Sequence, residues 1–123
     1  MKANELRIGN IIQSPPMNIP RLKISSNGYM TVTGYGISVL ESDTSNKLGW
    51  TSIPLSEEIL LKVGFKPHET KIGCMATNKY KNVTIHLSNS GNWYFNKRII
   101  QLHDLQNIVH ANTGQELNTS GLL

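Results

Sequence analysis

Glycine and proline interrupt this chain so often that it can build only short elements: ten glycines and five prolines fall among 123 residues. Asn, Ser and Thr fill much of the space between apolar positions. They favour turns, helix caps and strand faces over long helices. Disorder would require few apolar residues and high net charge, whereas here 38% of residues are hydrophobic and the net charge is +4. A chain of this length fits one domain and buries roughly two thirds of the surface its unfolded form exposes. We expect a single domain over residues 1–123, with residues 118–123 a frayed tail.

The punctuation predicts an α+β fold. In the N-terminal half, Leu6 and Ile8 alternate with polar neighbours, Gly9-Asn10 permits a bend, and Ile11-Ile12 resumes the apolar run. Pro15, Pro16 and Pro20 mark a loop. Leu22 and Ile24 alternate again, and Asn27-Gly28 suits a two-residue turn. Tyr29 to Thr33 is rich in β-formers and should return antiparallel. Gly34 and Gly36 bracket Tyr35 as at a bulge, and Ile37 to Leu40 reads as a further strand. The expectation is an antiparallel β meander of about four strands, open to curling into a barrel-like sheet.

A short helix should follow. Ser56 is a good N-cap, Glu57 and Glu58 suit the positive end of the helix dipole, Leu55 and Leu60 have staple spacing, and Gly64 can end the helix in the left-handed conformation. Lys66 to Thr77 resists assignment because Pro67 and Gly73 break it. Tyr80 to Leu87 reads as a strand with Val83, Ile85 and Leu87 on one face and Asn82, Thr84 and His86 on the other. Trp93 to Phe95, a tight turn at Asn96-Lys97, and Arg98 to Gln101 complete a three-stranded meander. A C-terminal helix is expected from about His103 to Asn112, with Leu102, Leu105, Ile108 and Val109 as its apolar stripe and Gly114 as its end.

Reactive chemistry finds little support. Cys74 is the only cysteine, so no intramolecular disulfide forms, and its neighbours Gly73, Met75 and Ala76 suit a buried small residue better than a nucleophile. His103 and His110 lie two helical turns apart, too far to share a metal. His103 fits the start of the helix and His110 its surface. His86 lies on a strand face and His68 in a loop, and no histidine pair has ligand spacing. Glu57, Glu58 and Asp104 are explained by helix dipoles. Gly34-Tyr35-Gly36 lacks the third glycine and following helix of a phosphate loop. We therefore expect no enzyme, no metal and no cofactor. The N-terminal residues show no signal pattern, and no apolar stretch approaches the roughly 18 residues of a membrane span. A cytosolic setting and no membrane partner are the expectation.

Three blocks carry a resemblance: Met1 to Asn10; Ile53 to Lys62 with Gly64-Phe65; and Leu102 to Asn107 with Thr113 to Leu117. Together they resemble a family of short uncharacterised proteins from phages, prophages and mobile elements of gut anaerobic bacteria. In that family the second tight turn usually reads Asn-Gly, where this chain has Asn96-Lys97. The resemblance implies an accessory protein of a mobile element. Such proteins block a host enzyme, sequester a nucleotide signal or coat nucleic acid, so interference with host defence is one expected role.

The candidate ligand-binding residues are Lys79, Tyr80, Lys81, Tyr94, Lys97 and Arg98. Basic groups neutralise phosphate while aromatic faces stack on bases, so these residues would suit an anionic ligand, a nucleotide or nucleic acid. Trp93 and Phe95 share a strand face and fit a core equally well, and Lys97 and Arg98 equally fit a solvated turn. Trp50, in a polar stretch, is the candidate partner-binding residue or else a core residue. The alternative reading is a protein–protein inhibitor or structural phage component that binds a host protein through a sheet edge and exposed aromatics. An unpaired edge strand also offers a route to a homo-oligomer.

Overall fold

The structure is a computed structural model that describes residues 5–14, 23–25, 28–43, 49–68 and 76–123. It is an α+β fold: three α-helices and two antiparallel sheets. Residues Met1–Ile53 form one compact unit and Pro54–Leu122 a second. Pro15, Pro16, Pro20, Leu22, Asn27 and Cys74 lie outside the described residues.

The first unit holds β1 (Ile11–Gln13), β2 (Lys23–Ile24), β3 (Tyr29–Thr31) and α1 (Gly34–Ser42). Gly9 sits at φ 96°, which only glycine adopts readily, and lets the chain bend into β1 as the sequence suggested. Asn10 is fully buried, and its side-chain oxygen accepts the Arg7 N–H at 2.7 Å. The strand order is β1-β3-β2, so β3 is central and pairs on both sides, with Ile12 and Ile24 each opposite Met30. This differs from the expected meander, and the described strands form no closed barrel.

Residues 37–40 are helical, where a strand was expected. Thr33 is the reason. Its hydroxyl accepts the Gly36 N–H at 3.1 Å, capping a helix where Gly34 and Gly36 suggest a bulge with no helix after it. The short apolar run Ile37 to Leu40 fits either period, and in the fold Ile37, Val39 and Leu40 pack on a core of Leu6, Ile12, Met30, Val32 and Trp50.

In the second unit, α2 (Glu57–Lys62) forms as expected. The Ser56 hydroxyl accepts the Ile59 N–H at 3.2 Å. At the other end, Phe65 N–H reaches Leu60 C=O at 2.9 Å and Gly64 N–H reaches Leu61 C=O at 3.2 Å. These are the paired bonds of a Schellman ending, and Gly64 takes φ 99°. The apolar contact of that motif falls to Leu60 and Phe65, both fully buried.

Five strands follow in simple up-and-down order: β4 (Lys66–Pro67), β5 (Ala76–Tyr80), β6 (Val83–Leu87), β7 (Trp93–Phe95) and β8 (Arg98–Ile99). The expected strand from Tyr80 to Leu87 is a hairpin whose turn is Lys81-Asn82, because Tyr80 pairs with Val83. Asn96 and Lys97 have φ 48° and 66° between the paired residues Phe95 and Arg98. Two positive φ values define the I′ turn, whose twist matches that of the strands. Helix α3 (Leu102–Thr113) ends at Gly114, φ 73°. The Asp104 carboxylate accepts the Gln101 N–H at 2.9 Å. Of the expected stripe, Leu102, Leu105 and Val109 are buried and Ile108 is half-buried, and His103 and Gln106 are buried beside them. His103 is thus an interior residue rather than an aid to the helix start, with its Nε2 3.5 Å from Asp104. The tail is not frayed throughout: Ser120–Leu122 form a 3-10 turn and Leu122 is 5% exposed. No helix among the described residues is long and apolar enough to cross a membrane.

Candidate functional site

Successive strand residues alternate between faces, so the register of the five-stranded sheet sorts its side chains. Across from one another lie Asn78 and Ile85, Tyr80 and Val83, Leu87 and Trp93, and Phe95 and Arg98. Val83, Ile85 and Trp93 are buried, and α3 lies against β6. This is the inner face.

The outer face carries two parallel rows. In one, Thr77 pairs with His86, His86 with Tyr94, and Tyr94 with Ile99. His68 extends it, its N–H reaching Thr77 C=O at 2.8 Å. The Thr77 hydroxyl and His86 Nδ1 meet at 3.3 Å, which fixes both on the same side. Thr77 is the buried member. His86 and Tyr94 are half-buried, and His68 and Ile99 are exposed.

In the second row, Lys66 stands opposite Lys79 and Lys79 opposite Thr84. The two-residue turns at Lys81-Asn82 and Asn96-Lys97 close the same edge of the sheet, so Lys81 and Lys97 lie along it. Like charges placed directly opposite on a sheet destabilise it. Among the described residues no carboxylate pairs with Lys66, Lys79 or Lys97. The other cations of this unit are differently held. Lys62 pairs with Glu58 at 3.2 Å and Arg98 with Asp104 at 3.6 Å. Lys81 donates to Gln115 Oε1, with its ammonium 5.5 Å from the Tyr80 ring centre.

The six residues named from sequence therefore separate. Lys79 and Tyr94 share the outer face, with Lys97 at its edge. Tyr80 is on the inner face against Phe65, ring centres 5.4 Å apart. Lys81 is at a hairpin tip engaged with Gln115. Arg98 points to the inner side, where Phe95, Asn96, Arg98, Ile100 and Ile108 line a small cavity of about 200 Å³. Trp50 is 2% exposed within the core of the first unit, so it is no exposed anchor for a partner. Its polar neighbours in sequence hid that role.

Sequence reasoning missed Lys66, His68, Thr84 and His86 as members of the face. Thr84 and His86 were visible as the polar side of β6. Lys66 and His68 depend on a long-range pairing that no local pattern encodes. Among the described residues no group of three or more His, Cys, Asp or Glu could hold a metal ion. Comparison of the chain with models of protein families, with curated proteins and with solved structures gives no match.

Proposed function

We propose that this protein is a non-enzymatic binding protein that holds an anionic ligand, a nucleotide or nucleic acid, on the outer face of its five-stranded sheet. The observation that carries the reading is the facing pair Lys66 and Lys79, which raises the energy of the empty fold and would be relieved by a bound phosphate. Tyr94, in register with His86, supplies a ring on the same face, two strands away from Lys79. As an accessory protein of a phage or mobile element in a bacterial cytosol, it would act by occupying or sequestering its ligand, host-defence signals included.

Nucleotides and short oligonucleotides titrated at about 50 and about 200 mM salt test this directly. Affinity that falls with salt and is lost in Lys66→Gln/Lys79→Gln supports it. Absence of any salt-sensitive binding removes it. A second reading, docking of a host protein or a second copy at a sheet edge, is favoured by Ile99, 46% exposed on the last strand. An Ile99→Asn variant that loses a captured protein partner while keeping nucleotide affinity would support that one.

A further inference from the structure

Resting on that reading, we infer that the ligand is a single strand of nucleic acid lying across the β-strands, its phosphates along the lysine row and its bases over the His86–Tyr94 row. The two rows are formed by residues two apart on each strand, as Lys79 is from Thr77 and Thr84 from His86. That sets them about 7 Å apart, a separation suited to a backbone phosphate and its own base. They run perpendicular to the strands, from Lys66 on β4 to Lys97 at the β7–β8 turn. With strands about 4.8 Å apart, this path is about 15 Å long. It would hold about four nucleotides at a rise of about 3.4 Å, and fewer in an extended chain. A mononucleotide leaves most of the lysine row empty. A duplex keeps its bases stacked inward and offers the Tyr94 and His86 rings nothing to stack on. Carboxylates are absent from the described residues of both rows, and Lys66 and Lys79 on one side of Thr84 and Lys97 on the other attract phosphate.

The full chain is tested with a fluorescent oligothymidylate of about twelve residues, with the same strand in a duplex with oligoadenylate, and with inorganic polyphosphate. The single strand is expected to bind at least about tenfold more tightly than either competitor, because stacking adds to charge. Tyr94→Phe should keep that preference, and Tyr94→Ser should remove about tenfold for the single strand and leave polyphosphate affinity unchanged. Lys79→Gln should flatten the slope of log affinity on log salt by about 0.7 for the single strand. Equal affinity for all three probes, unmoved by Tyr94→Ser, overturns the single-strand assignment and leaves an anion-binding face. No binding of any probe, nor of the nucleotides titrated above, overturns both. The circular dichroism of each variant, compared with the parent, separates lost binding from lost folding.

Discussion

Lys97 holds φ 66° in the I′ turn beside Asn96 at 48°, a conformation that disfavours side chains with a Cβ. Replacing it with glycine should stabilise the fold by about 0.5–1 kcal/mol, read as a higher urea midpoint with unchanged slope, and should weaken oligonucleotide binding by removing one charge. Gly64 presents the opposite case. It takes φ 99°, and a Cβ there would stand 3.3 Å from Tyr80 Cε2. Gly64→Ala should cost about 1–2 kcal/mol in the same measurement. Both positions were readable as turn or cap residues from sequence alone. No local pattern names Tyr80 as the neighbour that fills the space beside Gly64, where its ring packs near Phe65.

At the scale of elements, legibility followed locality. Helix α2 was evident because every signal for it lies within about ten residues, from Leu55 and Ser56 to Gly64. Helix α1 was not, because Thr33 reads as the end of a strand unless its hydroxyl is known to meet Gly36, and because three apolar residues among Ile37 to Leu40 are too few to reveal a period. The hairpin at Lys81-Asn82 carried no glycine or proline to announce it. The C-terminal 3-10 turn was hidden by a polar sequence, although Leu117 and Leu122 are 4% and 5% exposed. Gly121 lies so close to α2 that a Cβ would approach the Lys62 carbonyl oxygen to 3.2 Å. Leu122→Ala should therefore cost about 2–3 kcal/mol, measurable as a lower thermal midpoint. An unchanged midpoint would show that the tail contributes no packing.

For the molecule as a whole, the facing lysines link stability to binding. Lys66→Glu replaces a repulsive cross-strand pair by an attractive one, so it should raise stability by about 0.2–1 kcal/mol and at the same time weaken anion binding more than Lys66→Gln does. If the lysines serve only to keep the sheet edge from pairing with other chains, the stability gain should appear with no change in any ligand affinity. Far from the lysine edge, at the other end of β6 and β7, the chain turns through Ser88–Asn92. The hydroxyls of Ser88 and Ser90 meet there at 2.6 Å, and Asn92 donates to Ser90 at 3.3 Å. Asn89, exposed in the middle of that self-contained loop, is accordingly a place to attach a dye or to tether the protein to a surface, where an immobilised copy would keep its lysines turned towards the solution.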